Sequence, residues 1–223
     1  MNRSSADAGP RPEGAPVVAT IVVIFAVIEE RLQVLLVRRS ADPERDMWAL
    51  PGGRWDGAET LEAAATRILA RETGVSDLYL EQLFTVSGLD PERPSVAVAY
   101  FALVEAGTGR LREEEEWRPA WHPVDDLPPL AFRNDEVIDQ ARARVGAKLD
   151  YTNIAYGLLP ELFTLRELQA TYEAILARPL DRRNFRKRML SAGIIEPTSE
   201  RRREGAHRPA QLFRFVSREP VIL

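Results

Sequence analysis

Two stretches of the chain carry side chains whose types and spacing could do chemistry on phosphates. The first holds a Gly52-Gly53 pair, then Glu59, and then Arg67, Arg71 and Glu72 at helical spacing before Gly74. Glycines let backbone approach a ligand closely, and guanidinium groups pair with phosphate oxygens through charge-assisted hydrogen bonds. Arg38 and Arg39, at the end of an apolar run, are further cations for the same anion. Glu59 and Glu72 are the acids that could offer oxygens to a hard cation such as magnesium. The second stretch, Asp181 to Leu190, sets Arg182, Arg183, Asn184, Arg186, Lys187 and Arg188 on the outer side of a helix, with Phe185, Met189 and Leu190 inside. Arginine can pair bidentately with guanine and asparagine with adenine, while the remaining cations hold the phosphate backbone. A polar loop from Ser199 to Pro209 adds Arg201, Arg202, Arg203 and Arg208.

The elements that must position these groups are legible from pattern. Two β-branched, apolar segments, Val17 to Ile28 and Leu32 to Arg39, flank Glu29-Glu30-Arg31 and predict a hairpin. Glu59 to Thr73 predicts a helix with Leu61, Ala64, Ala65, Ile68 and Leu69 on one stripe and Gly74 as its stop. Further strands are expected at Leu78 to Val86, Ser95 to Val104 and Trp121 to Val124, and a helix at Asn134 to Leu149. After Asp150 the pattern changes to short helices. Thr164-Leu-Arg-Glu167 matches a capping box that opens a helix with Leu165, Leu168, Tyr172, Ile175 and Leu176 on one face. Asp181 can cap the next helix, and Ile194-Ile195 and Gln211 to Val216 read as strands around the arginine-rich loop. A capped helix, a turn, a basic helix and a basic hairpin in that order predict a winged helix-turn-helix.

Bulk properties narrow the function classes. The 223 residues suit one medium and one small domain: a tail over 1–15, a first domain over 16–149 and a second over 150–223. Residues 1–150 carry a net charge of −9 and residues 151–223 one of +5, a division that suggests separate jobs and a polyanionic partner for the second half. With no cysteine there is no disulfide, thiolate metal site or cysteine nucleophile, and a reducing cytoplasm fits. The longest apolar run, Val17 to Ile28, falls short of the roughly 20 residues that a membrane span needs, so no membrane role is expected. The start of the chain lacks the pattern of a signal peptide, and the acidic run Glu113 to Glu116 reads as a solvated loop.

The stretch Gly53 to Val75 resembles the Nudix box, through Gly53, Glu59, Arg67, Leu69, Glu72, Gly74 and Val75. The resemblance implies an α/β/α sandwich around a mixed sheet and a ligand of the nucleoside-diphosphate type. In Nudix enzymes, glutamates at helical offsets i, i+3 and i+4 hold magnesium against the substrate pyrophosphate; here those positions are Ile68, Arg71 and Glu72. A divalent ion about 5 Å from the Arg71 guanidinium, at an effective dielectric of about 20, would meet roughly 6 to 7 kcal/mol of repulsion. Metal-assisted hydrolysis is therefore not expected, and no metal is assigned beyond the weak candidates Glu59 and Glu72. Two readings of Arg71 stay open: a scaffold residue in a decayed box, or a direct partner of the diphosphate.

Over Pro16 to Phe215 the chain resembles the Nudix-related transcriptional regulators of NAD metabolism, the NrtR family. The resemblance is carried by the altered box, Tyr79-Leu-Glu-Gln-Leu83, Leu158-Leu-Pro, Phe163-Thr-Leu-Arg-Glu-Leu-Gln169, Tyr172-Glu173 and Asn184-Phe-Arg186. It implies a homodimeric bacterial repressor, cytoplasmic and associated with the nucleoid, that binds palindromic operators near NAD genes. It also implies ADP-ribose or a related nucleotide as effector, with no cofactor required. The chain departs from the family at Phe132-Arg133-Asn134, where such proteins often have Phe-Asp-His. The rival readings are a Nudix hydrolase of ADP-ribose with an accessory domain, and an RNA-binding or adaptor protein that uses the basic C-terminal domain for structured RNA.

Overall fold

The computed structural model describes residues 16–74, 79–89, 94–107, 111, 119–203 and 209–222. The axis of its larger, seven-stranded mixed sheet is β1 (Val17–Ile28). Ile21, Val23 and Phe25 of β1 enter one buried cluster and Val22, Ile24 and Ala26 another, so the strand is apolar without alternation because both faces are covered. Parallel to β1 on one side lies β6 (Ser95–Leu103), with β5 (Leu80–Ser87) antiparallel beyond it. On the other side β2 (Arg31–Arg38) pairs with the second half of β1, and β4 (Gly52–Arg54) with the first half. Two shorter strands, β3 (Trp48–Ala49) and β7 (Pro119–Pro123), both pair with β2.

One helix covers each face. Thr60 caps α1 (Leu61–Thr73) by accepting from the Ala63 amide, and Gly74, at φ 68°, ends it in the left-handed conformation. Ala65, Ile68 and Leu69 of α1 pack with Val22, Ile24 and Tyr100. On the opposite face α2 (Asn134–Lys148) packs Val137, Ile138, Ala141 and Val145 into the cluster that holds Ile21, Ala99 and Phe101.

The C-terminal part is a small three-stranded sheet, ordered β8 (Phe163–Thr164), β10 (Ala210–Phe215), β9 (Ile195–Arg202), against α3 (Leu165–Leu176) and α4 (Arg182–Ser191). The capping box at α3 forms as the sequence predicts: the Thr164 hydroxyl accepts from the Glu167 amide at 3.2 Å and Glu167 Oε2 accepts from the Thr164 amide at 2.6 Å. Phe163, Leu168, Tyr172, Phe185, Met189 and Phe215 belong to the same buried cluster as Ile21, Phe25 and Phe101 of the larger sheet. A chain of aromatic contacts runs through the junction, from Phe101 to Tyr79, Tyr156, Phe215 and Phe163, with ring centroids 4.9 to 6.4 Å apart. Burial, and then the hydrogen bond to Glu81, push the Tyr79 hydroxyl pKa up.

The segment after β10 is strapped across the residues that join the two parts. Asn153 donates from Nδ2 to the carbonyls of Ser217 and Glu219, both at 2.9 Å, and accepts from the Val221 amide at 2.8 Å. Arg218 donates to the carbonyls of Tyr156 and Leu159, each at 3.0 Å.

Several local expectations need correction. Leu190, expected inside α4, is 45% exposed; it stands four residues after Arg186, and so on the same side of the helix. β9 runs on through Arg202, so the turn of the hairpin is shorter than the expected 199–209 loop. Two-residue strands at Trp48–Ala49 and Phe163–Thr164, and β4, escape a pattern that needs four residues or more. Val75, Leu78, Arg208, the acidic run 113–116 and the tail 1–15 lie outside the described residues.

Candidate functional site

On α1 the polar residues of the box pair among themselves. Arg67 donates to Glu59 Oε1 from Nε at 3.0 Å and from Nη2 at 2.5 Å, and this bond raises the Arg67 pKa. Arg71 Nε donates at 2.7 Å to Glu72 Oε1, and the Glu72 side chain is fully buried. Ile68, where a carboxylate stands in the Nudix box, is 2% exposed among Val22, Ile24 and Tyr100. The stripe position and the chelating position are therefore the same, and this chain uses it for packing.

The glycine pair sits at the sheet margin. A Cβ on Gly52 would lie 2.9 Å from both Ile21 Cγ2 and the Thr20 carbonyl, so no larger residue fits without displacing backbone. Gly53 is open on its Cβ side. The loop feeding this strand is anchored by α2: Asn134 Oδ1, 2% exposed, accepts from the Leu50 amide at 2.8 Å.

Arg38 and Arg39 hold the neighbouring loop. Arg38 reaches the Asp46 carbonyl and carboxylate at 3.3 and 3.5 Å. Arg39 donates to the carbonyls of Pro43 and Ala41 and lies 4.4 Å over the Phe132 ring. Phe132 and Arg133 both take left-handed conformations, at φ 55° and 51°, a strained pair for residues with side chains. Glu44 Oε2 accepts from the Phe132 amide at 2.8 Å and holds the kink. Nearby, Trp48 meets His122 edge-on at 4.5 Å, and burial lowers the His122 pKa.

A cleft of about 420 Å³ opens between β5 and α2, lined by Phe84, Val86, Leu89, Glu136, Asp139 and Gln140. That volume is within the range of small-molecule sites. Register ties it to the glycines: Phe84 pairs with Ala99, Ala99 with Ile21 and Ile21 with Gly52, one row across four strands. Three strand spacings put the ends of the row roughly 14 Å apart. The cleft lies on the α2 face and the Arg67 and Arg71 pairs on the α1 helix, so the structure does not gather all the expected ligand residues into one wall. Sequence reading missed the cleft residues because they are a phenylalanine in a strand and ordinary polar residues on a helix. Their only signal is the cross-strand register, which the sequence does not print.

The second candidate surface is α4. Asp181 caps it, its carboxylate accepting from the Asn184 amide at 2.8 Å, and Phe185 and Met189 bury its inner side. Phe185 meets Tyr172 of α3 edge-on at 5.1 Å. Arg182, Arg183, Asn184, Arg186 and Lys187 are exposed, and among the described residues none of these four cations has an ion-pair partner. Arg188 instead turns back to Asp150 Oδ1 at 3.0 Å and the Leu149 carbonyl at 3.2 Å. On the hairpin, Arg201 and Arg203 are exposed, while Arg202 bonds Glu167 Oε1 at 2.6 Å and the Leu162 carbonyl at 2.9 Å. Glu167 thus serves the α3 cap and the hairpin together.

A mixed sheet between two helices, carrying a Nudix-type box, joined to a winged helix with a basic second helix, defines a two-domain Nudix and winged-helix protein. Comparison with known proteins agrees over both parts: residues 18–141 match the NUDIX domain, and residues 155–215 match the NrtR DNA-binding winged helix domain. The chain is 38% identical over 208 residues to the ADPR responsive transcriptional repressor NtrR of Acinetobacter baylyi, covering 91% of this chain and 83% of that one. It also resembles the crystal structure of Shewanella oneidensis NrtR complexed with a 27mer DNA, at 35% identity and a TM-score of 0.79, over 89% of this chain and 93% of that one. The NUDIX domain of the same Shewanella protein complexed with ADP ribose matches 62% of this chain and 95% of its own length, at 35% identity and a TM-score of 0.54. The chain belongs to the NrtR family of transcriptional regulators.

Proposed function

We propose that this protein is an ADP-ribose-responsive transcriptional repressor. The observation that carries the reading is α4: four exposed cations without ion-pair partners among the described residues, on the second helix of a capped helix-turn-helix. Four like charges on ten residues are unfavourable alone and are neutralised by a phosphate backbone. Arg182, Arg183, Asn184, Arg186 and Lys187 read or hold the operator, and Arg201, Arg203 and Arg208 of the wing touch its backbone. Arg188 and Arg202 set the helix and the wing in place.

The effector reaches from the cleft at Phe84 towards the Gly52-Gly53 strand, passing outside the buried Ala99 and Ile21 that link them in register. A ring stacks at Phe84 with Glu136, Asp139 and Gln140 to accept or donate hydrogen bonds, and the diphosphate meets the Gly52-Gly53 strand, with Arg67 and Arg71 the nearest box cations. The domain is not a hydrolase in this reading, because Ile68 is packed in the core and Arg71 occupies the remaining acid, Glu72. The sensing domain spans 16–149 and the operator-binding domain 150–223. Two copies bind a palindrome beside genes of NAD synthesis or salvage, in a bacterial cytoplasm. ADP-ribose releases the DNA; a near-complete reversal needs the two arrangements to differ in ADP-ribose affinity by about 5.5 kcal/mol.

The test is fluorescence anisotropy with labelled duplexes from promoters of NAD synthesis and salvage genes, titrated with ADP-ribose, alongside a phosphate-release assay with magnesium. Specific binding that ADP-ribose weakens, with no turnover, is expected. Turnover of ADP-ribose at ordinary enzyme rates, or no duplex preferred over random DNA, would overturn the reading.

A further inference from the structure

One helix, α2, reaches the glycine strand, the cleft and both helices of the operator-binding domain. At its first residue, Asn134 holds the Leu50 amide and hence the start of the glycine strand. Over its next two turns Glu136, Asp139 and Gln140 line the cleft. Arg142 stands three residues after Asp139, on the same side of the helix, and bridges the sensing domain and the operator-binding domain. Its Nε donates to the Ile175 carbonyl at 3.1 Å, in the last turn of α3, and its Nη1 to Asp125 Oδ1 at 2.7 Å. Farther along, a Cβ on Gly146 would come within 3.6 Å of Leu176, and at the C-terminus Arg188 of α4 binds the Leu149 carbonyl. The 15-residue helix is a continuous rod of about 22 Å.

We propose that α2 transmits effector occupancy to the operator-binding helix and that Arg142 is the positioning residue through which it does so. The inference rests on the function proposed above. Occupancy of the cleft acts on Asp139 and Gln140, within one turn of the Arg142 stem. The guanidinium grips the end of α3, from which the chain turns into α4. A second arrangement is available at this joint. Among the described residues Arg142 Nη2 is buried with no hydrogen-bond partner, whereas the last four carbonyls of a helix have no partner within the helix. A small displacement of α2 along α3 exchanges Ile175 for a neighbouring carbonyl and supplies the idle donor.

The test measures coupling separately from affinity. Operator affinity is determined with and without saturating ADP-ribose, and ADP-ribose affinity by calorimetry with and without operator, on the full chain. The two ratios must be equal, because coupling between sites is reciprocal. For Arg142→Met, which keeps the stem and removes the donors, each separate affinity is expected within about threefold of wild type, while the ratio falls at least about tenfold towards one. Arg142→Lys, with one donor left, is expected in between. A variant that had merely lost stability would weaken both affinities and leave the ratio standing. If Arg142→Met fails to fold, Asp125→Asn serves, since Asp125 is exposed and orients the same guanidinium; a fall of about two- to threefold is expected there. An unchanged ratio in the folded variants overturns the inference. A wild-type protein without any response to ADP-ribose instead overturns the function on which the inference rests.

Discussion

Replacing Arg183 and Arg186 with alanine should change the salt dependence of operator binding by a calculable amount. The exposed cations of α4 without ion-pair partners are Arg182, Arg183, Arg186 and Lys187, whereas Arg188 is held by Asp150 and the Leu149 carbonyl. Each cation that neutralises a phosphate adds about 0.9 to the slope of log affinity against log salt. The double variant should therefore lose about 1.8 in slope per protomer, or about 3.6 for two copies on a palindrome, so that a fourfold rise in salt costs it about 150-fold less affinity than it costs wild type. Arg188→Ala removes a cation of the same charge from the same helix. It should leave the slope within about 0.3 of wild type and lower the melting temperature instead, because the Leu149 carbonyl loses its donor. The assay is anisotropy with a labelled operator between 50 and 200 mM salt, about the range in which such slopes are measured. An unchanged slope in the double variant refutes the assignment of this face to DNA. An equal loss of slope in Arg188→Ala refutes the sorting of cations by their intramolecular partners.

Asn153→Ala removes three hydrogen bonds between the C-terminal strap and the junction, and leaves the Val221 amide without its acceptor; a loss of about 2 to 4 kcal/mol in urea unfolding is expected. Tyr172→Phe deletes a buried hydroxyl that has no partner among the described residues while keeping the ring on Phe185, and should be neutral or stabilise by up to about 1 kcal/mol in the same assay. Burial pushes the Tyr172 pKa up to about 12. A folded-state pKa above the unfolded value, about 10 for tyrosine, means stability that is complete below about pH 10 and lost as pH rises towards about 12. Tyr172→Phe should lose less stability than wild type over that interval, as followed by circular dichroism. Ile68→Glu places a carboxylate among Val22, Ile24 and Tyr100 and should destabilise by about 3 to 5 kcal/mol, measured by thermal melting; a variant as stable as wild type would show that the position can turn to solvent.

Elements with a strong local signal were legible in the sequence. The capping box at Thr164, the aspartate cap at Asp181, the apolar stripe of α1 and the stop at Gly74 are each fixed by residues within one or two turns, and each stands where the pattern puts it. What could not be read was set by contacts distant in sequence. Leu190 has the composition of a core residue, but whether it turns inward depends on which side of α4 meets α3, and Phe185 and Met189 fill that side alone. Trp48–Ala49 becomes a strand only because β2 offers it an edge. The pairings of Arg71 with Glu72 and Arg67 with Glu59 were equally hidden: the sequence shows opposite charges nearby, without showing that one carboxylate is buried. The cleft beside Phe84 depends on three successive strand registers and on α2 lying across them.

The two parts of the molecule share a single buried cluster, crossed by the stack from Phe101 through Tyr79 and Tyr156 to Phe215 and Phe163. This limits how such a regulator can be rebuilt. A chimera that transplants the operator-binding half onto a foreign sensor would bring half of a joint whose mate is missing, leaving Tyr156 and Phe215 facing water or an ill-fitting neighbour. A graft that respects the seam has to carry Phe101, Tyr79 and the 152–159 segment as part of the DNA-binding cassette. In lineages that exchange sensors, substitutions at those positions should accompany the exchange.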